Sequence, residues 1–193
     1  MPKRIGITGG IGAGKSIVSK IIESMGFPVF NSDDEAKKII NSHPEVKAEL
    51  IALFGNSIYS NQELDRPKLA KLIFNDPSLR EKVNEIIHPR VRLEFDRFVS
   101  GSSSQLIFNE AAILFETGAY KQFDDTVLIT SPIELRIERL IARDNSSREE
   151  IEARMKAQWS DDQKQQLADY VIINDEVNPL LSQIEKVISD LLN

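Results

Sequence analysis

Apolar residues along the chain alternate between two rhythms. Short, nearly continuous runs at Arg4 to Thr8, Pro28 to Phe30, Gln105 to Phe108, Asp125 to Thr130 and Val171 to Ile173 are bounded by glycine or polar clusters and predict buried strands. Between them the period lengthens to three and four. Lys15 to Met25 carries Val18, Ile21, Ile22 and Met25 on one helical face, Asn31-Ser32-Asp33-Asp34 reads as a strand-end loop capping a second helix through about Asn41, and Leu180 to Leu192 is an amphipathic closing helix. Ser131-Pro132 opens a helix through Arg143. Ser147 with Glu150 has the spacing of a capping box and starts another helix, carrying Ile151, Arg154, Met155 and Gln158. Strands that alternate with helices imply a parallel sheet.

From Pro44 to about Ser100 the strand rhythm disappears, and the pattern is almost wholly helical. Val46, Leu50 and Leu53, then Leu69, Leu72 and Ile73, then Leu79, Val83, Ile86 and Ile87, then Val91, Leu93, Phe95 and Phe98 fall at helical spacing. Turn signals at Gly55-Asn56, Asp76-Pro77 and His88-Pro89 are expected to divide this insertion, and Ser100 to Ser104 to lead back to the sheet. The expected organisation is a single domain over 1–193, with a core of 1–43, 101–131 and 168–193, a helical insertion over 44–100 and a helical segment over 132–167.

Composition narrows the function. A chain of 193 residues can bury a full core. With no cysteine and two histidines it has no material for disulfides, thiolate metal sites or a cysteine nucleophile, so any metal is expected to be oxygen-ligated. The net charge of −6 argues against a nucleic-acid surface. No apolar run approaches a membrane span, and the first strand begins almost at the amino terminus, so a cytoplasmic protein is expected.

Candidate chemistry concentrates at Gly9-Gly10-Ile11-Gly12-Ala13-Gly14-Lys15-Ser16, a phosphate-binding loop placed between a predicted strand and a predicted helix. Glycines allow backbone amides to converge on an anion at a helix N-terminus. Lys15 supplies a mobile cation for the β and γ phosphates of a nucleotide, and the Ser16 hydroxyl can ligate magnesium. Asp33, just after the second strand, lies where ligands collect in such sheets and suits a general base toward an alcohol; a helix-capping role is the alternative. Arg136, Arg139 and Arg143, with Arg148 and Arg154, form either a lid over phosphates or a solvated face paired with Glu134, Glu138, Glu149, Glu150 and Glu152. Asn109-Glu110 ends the third strand, where an acidic residue can support magnesium. Glu116 either binds substrate or pairs locally. His88 caps or packs, with a catalytic role as the alternative, Arg90 either contacts an anionic substrate or is simply exposed, and Asn174 after the fifth strand either reads an adenine edge or closes a turn.

Taken together these pieces resemble the dephospho-coenzyme A kinase family across essentially the whole chain. The resemblance is carried by Thr8 to Ser16, by Val29-Phe30-Asn31-Ser32-Asp33, by Phe54-Gly55 with Leu64-Asp65-Arg66 and Ile87-His88-Pro89, by Ile113-Leu114-Phe115-Glu116 with Gly118 and Tyr120, by Arg139, Arg143-Asp144, Ser147-Arg148-Glu149, Arg154 and Gln158, and by Ala168-Asp169, Val171-Ile172 and Asn174. It implies a three-layer α/β P-loop kinase fold with a five-stranded parallel sheet, a helical substrate-binding insertion and a helical lid. The implied reaction is transfer of the ATP γ-phosphate to the ribose 3′-hydroxyl of dephospho-coenzyme A, with ATP and Mg2+ as cofactors, in a monomer or weak homo-oligomer; another small-molecule P-loop kinase, such as one acting on a nucleoside monophosphate, is the alternative.

The implied roles follow position by position. Asp33, Lys15 and Arg139 would be catalytic; Gly10, Ile11, Gly12, Ala13, Gly14, Lys15, Ser16 and Ile17, with Arg139 and Asn174, would hold ATP. Ser16 would reach the metal, and Asp33, His88, Arg90 and Glu116 the acceptor. The chain departs from the family at Asn31, which replaces the first of two paired aspartates, and at Ala112, where proline is usual.

Overall fold

The computed structural model describes residues 2–74 and 76–193. In chain order the elements are β1 (Lys3–Gly9), α1 (Lys15–Ser24), β2 (Val29–Asn31), α2 (Ser32–Ser42), α3 (Pro44–Phe54), β3 (Tyr59–Ser60), β4 (Glu63–Leu64), α4 (Arg66–Phe74), α5 (Pro77–Ser100), β5 (Leu106–Glu110), β6 (Asp125–Thr130), α6 (Ile133–Asp144), α7 (Arg148–Lys156), α8 (Asp161–Gln165), β7 (Tyr170–Ile173) and α9 (Leu180–Leu192). Two compact units share them: Met1–Asn31 with Ser102–Asn193, and Ser32–Gly101.

The first unit is built on a five-stranded parallel sheet in the order β2-β5-β1-β6-β7. Its strands read as unbroken apolar runs because side chains on both of their faces are buried: Ile5, Ile7, Leu106, Ile107, Phe108, Val127, Leu128 and Ile129 are at most 1% exposed. Val18 and Ile22 of α1 and Ile184, Val187, Ile188 and Leu191 of α9 share one core with the sheet. Each fully buried aliphatic contributes about 1.5–3 kcal/mol of transfer free energy, which is why the amphipathic stripes of these helices settle there. A smaller apolar cluster joins Ile137 and Leu140 of α6 to Ile151 and Met155 of α7 and to Ile11 of the glycine loop. The predicted capping box of α7 is present, Ser147 accepting from the Glu150 N–H and Glu150 from the Ser147 N–H.

The second unit takes in α2 as well as the insertion expected from residue 44, because α2 contributes Ile39 and hydrogen-bond partners for the segment that follows. Tyr59 Oη donates to Ile40 O at 2.9 Å, and the Leu64 N–H donates to Asn41 Oδ1 at 2.9 Å. Two features depart from the expected run of helices. The chain makes a small antiparallel hairpin, β3 with β4, turning through Asn61 and Gln62 at φ 49° and 70°. And His88-Pro89 does not break a helix: α5 runs from Pro77 to Ser100 with Pro89 inside it. Proline removes one N–H from the ladder, but Val83, Ile87, Val91, Phe95 and Val99 form a buried stripe at intervals of four that spans it and holds the helix together.

Candidate active site

The glycine loop is already folded into a cradle. β1 ends at Gly9, α1 starts at Lys15, and between them the Ala13 N–H closes a turn onto Gly10 O at 3.1 Å. Gly14 caps α1 at φ 96°, a left-handed conformation that a side chain would strain. The first turn of α1 holds no acidic residue, so the positive end of its dipole is not offset from within the helix. The loop's outward carbonyls are taken up from behind. Arg136 Nε donates to Ile11 O at 2.8 Å and Asn174 Nδ2 to Ala13 O at 2.9 Å, while Lys15 Nζ folds back onto Gly9 O at 2.9 Å. A loop held by its carbonyls turns its amide hydrogens toward an anion.

Ser16 and Glu110 stand together at this mouth, Ser16 Oγ donating to Glu110 Oε1 at 3.1 Å. Glu110 is buried at the end of β5, in register with Asn31 of β2 and Ile7 of β1. A hydroxyl beside a buried carboxylate is a hard-oxygen pair of the kind that suits magnesium, which keeps much of its shell in water and substrate phosphate. Among the described residues no cluster of three or more histidines, aspartates or glutamates could hold a metal by itself.

The arginines of 132–167 divide between two roles. Arg139 donates through Nη1 to Ser131 Oγ at 3.2 Å and through Nη2 to Glu176 Oε1 at 2.9 Å, with Asn174 O at 3.4 Å from both nitrogens. It therefore sits beside the segment that grips the loop. Arg136, expected on the same solvated or phosphate-facing stripe, is buried instead, its guanidinium between Ile11 O and the Asp161 carboxylate at 3.2 and 3.3 Å. Arg143, Arg148 and Arg154 are surface ion pairs here. Arg143 and Arg154 hold Asp144, whose carboxyl they depress to about 2, Arg143 by the larger share. Arg148 bridges Glu134 and Glu152, which hold its guanidinium firmly charged.

Glu116, in the connection after β5, accepts from the Trp159 N–H at 3.1 Å and lies 2.9 Å from Lys164 Nζ, a fully buried cation. Sequence reasoning passed over Lys164, whose neighbours Gln163 and Gln165 mark nothing apolar; only the folded chain reveals its burial. It equally passed over the bond from the Ile11 N–H to Gln158 Oε1, at 2.8 Å. Asn174, expected near an adenine, has its amide on Ala13 O in this structure. Ile17, on the first turn of α1, is half exposed.

In the second unit, Asp33 is the second residue of α2 and partly buried, while its neighbour Asp34 pairs with Lys37. His88 and Arg90 both lie on α5, two positions apart and so on roughly opposite sides of it. Burial, with Arg92 adding repulsion, lowers the His88 pKa and favours the neutral ring. Arg90 reaches Glu45 of α3 through Nη2.

Comparison with known proteins adds three kinds of likeness. A family model described as dephospho-CoA kinase matches residues 3–179. A Bacteroides fragilis protein named dephospho-CoA kinase is 43% identical over 192 residues, covering 99% of this chain and 94% of its own. Among solved structures, a Thermus thermophilus protein superposes with a TM-score of 0.86 at 34% identity, covering 99% of this chain and 96% of that one. A dephospho-CoA kinase from Campylobacter jejuni does so at 0.69 and 27%, covering 99% and 98%.

Proposed function

The chain belongs to the dephospho-coenzyme A kinase family, and from that premise we propose that Asp33 is the general base and Lys15 and Arg139 the charge-neutralising catalytic cations of its reaction. The protein is an ATP-dependent kinase that moves the γ-phosphate of ATP to the ribose 3′-hydroxyl of dephospho-coenzyme A. A different small-molecule kinase is not favoured.

One observation carries the residue assignments: the loop at Gly9 to Ser16 is built and supported as an anion cradle, with Ser16 bonded to the buried Glu110. In the proposed sequence, the segment Gly10 to Ile17 holds the triphosphate of ATP through amides other than those of Ile11, Ala13 and Ile17, which bond to Gln158 Oε1, Gly10 O and Gly14 O. Lys15 leaves Gly9 O for the β and γ phosphates, and Arg139 neutralises charge as it spreads over the transferred group. The acceptor oxygen attacks the γ phosphorus as its proton passes to Asp33, the bond to the β-phosphate oxygen breaks, and ADP leaves. Asp33 follows two residues after Asn31, the register partner of Glu110, which supports its assignment. Ser16 Oγ, backed by Glu110, would hold Mg2+, which offsets phosphate charge when bound. Asn31 adds no charge, so Glu110 is the acidic group available there. Asn174 stands behind the loop at the nucleotide end, and His88, Arg90 and Glu116 would line the acceptor side. The segment 132–167 acts as the lid and the helical insertion carries the acceptor. No helix of the described residues is long and apolar enough to cross a membrane. We place the protein in the cytoplasm, acting as a monomer or weak homo-oligomer.

A coupled assay with ATP and a panel of alcohols tests this. Phosphorylation of dephospho-coenzyme A is expected, and Asp33→Ala is expected to lower turnover by about two powers of ten or more with ATP binding intact. Turnover unchanged by that substitution would retire Asp33 as the base.

A further inference from the structure

Ile11 occupies the apex of the glycine loop, and both of its backbone polar groups are engaged by the segment read as a lid. Its carbonyl accepts from Arg136 Nε at 2.8 Å, and its N–H donates to Gln158 Oε1 at 2.8 Å. Its side chain packs with Ile137, Leu140, Ile151 and Met155, the apolar cluster that joins α6 to α7. Two consecutive peptide planes of the loop are thus fixed from the side by 133–158. Arg136 is in turn tied to Asp161 at the start of α8, so a buried cation links the loop, α6 and α8.

The glycines facing this contact confirm how close it is. A Cβ built on Gly10 would lie 2.1 Å from Arg136 Nη2 and 2.6 Å from its Cζ, and one built on Gly12 would meet the Arg136 carbonyl at 2.9 Å. A side chain at Gly10 would therefore have to displace the Arg136 guanidinium, independently of any room a phosphate needs.

We propose that Arg136 and Gln158 are positioning residues for ATP: touching no phosphate, they hold Ile11 so that the loop presents a preformed cradle, and they make its shape depend on the placement of α6, α7 and the turn before α8. The proposal deepens the reading of this loop as the ATP site and rests on it. Burying a charge has a desolvation penalty that rivals the attraction to Asp161, so the ion pair by itself does not make Arg136 a stabilising residue. The reach of the effect is limited by what each bond supplies, since a single neutral hydrogen bond changes affinity by about three- to tenfold.

Titration of the purified protein with Mg·ATP in the absence of acceptor tests this directly, alongside both KM values and the melting temperature. Gln158→Met, which keeps length and loses the acceptor oxygen, is expected to weaken ATP about three- to tenfold while the KM for dephospho-coenzyme A stays within about twofold. Gln158→Glu, which restores an acceptor for the Ile11 N–H, is expected to recover most of that loss. Gly10→Ala is expected to weaken ATP at least as much as Gln158→Met, and Gly10→Ala with Arg136→Gln to be no worse than Arg136→Gln alone, since the shorter side chain vacates the contested space. Wild-type ATP affinity in Gln158→Met, or parallel loss of both substrates that tracks the melting temperature in Met and Glu variants alike, would overturn the proposal. So would penalties at Gly10 and Arg136 that simply multiply. Should the wild type bind Mg·ATP and respond in this way but leave dephospho-coenzyme A unphosphorylated, the positioning role stands and the acceptor assignment fails.

Discussion

Asn174 offers the sharpest quantitative prediction, because Asn174→Ala removes one identifiable interaction. Its backbone contacts, the N–H donating to Thr130 O at 2.9 Å and the carbonyl facing Arg139, survive the change. What disappears is the bond from Nδ2 to Ala13 O at 2.9 Å, in a residue only 7% exposed, so water cannot readily replace the lost donor. Leaving a buried carbonyl without its partner costs about 1–3 kcal/mol. For a chain of this length each kcal/mol moves the melting temperature by roughly 2–4 °C, so a fall of about 2–12 °C is expected in a thermal melt without nucleotide. The same freed peptide belongs to the phosphate cradle. ATP must then reorder it on binding, and if the low end of that cost is charged to binding, the KM for ATP rises about fivefold, with the KM for dephospho-coenzyme A little changed. A variant that melts like the wild type and keeps its KM for ATP would refute the claim that this side chain supports the loop. A change in ATP affinity without any thermal shift would instead identify Asn174 as a direct nucleotide contact.

Two further predictions concern the second unit. His88 has a pKa below its ordinary 6.5 because burial and Arg92 disfavour the cation, so the unfolded chain binds the proton more readily; its contribution to stability is full above pH 6.5 and is lost as pH falls from there toward the folded value. His88→Gln should flatten that part of the melting-temperature profile between about pH 5 and 7.5, and an unaltered acid slope would show that other groups set it. Pro89 withholds an N–H from the turn of α5 that would bond to Glu85 O, so Pro89→Ala should raise the melting temperature, by the equivalent of about 1–3 kcal/mol; a fall would mean that packing of the ring outweighs the restored bond.

Where local physics suffices, the chain announced its structure. Strand β6 at Asp125–Thr130 and helix α9 at Leu180–Leu192 begin and end where the apolar pattern begins and ends, and the Ser147–Glu150 box caps α7 as its spacing requires. The cradle was legible because its glycines, lysine and serine are contiguous. Other features are decided by partners remote in sequence. The insertion of β5 between β2 and β1 depends on packing rather than on any local signal. The hairpin at Tyr59 to Leu64 has strands of two residues each, too short for a period to register, and its turn places Asn61 and Gln62 in a conformation few side chains favour. Pro89 read as a break because local propensity weighs heavily in isolation, whereas a buried stripe on both sides of it outweighs one missing bond.

The charged residues carry the larger lesson. Arg136, Arg139 and Arg143 share one spacing in the sequence, yet one lies buried against the glycine loop, one beside Asn174 and Glu176, and one at the surface against Asp144. Spacing fixes only the direction of a side chain about its own helix; what waits there is supplied by Ile11, 125 residues earlier in the case of Arg136, and by Glu116 for the buried Lys164. Charge burial is not a stabilising device by default, because the desolvation penalty rivals the attraction regained. Both buried cations anchor the stretch from Trp159 to Lys164, Arg136 through Asp161 and Lys164 through Glu116, which also accepts from the Trp159 N–H. What the pair supplies is a fixed path for the chain between the end of α7 and β7. On one side of that path Gln158 reaches the phosphate cradle, and on the other Glu116 is held in the connection after β5, so a shift of this single stretch would be felt at both.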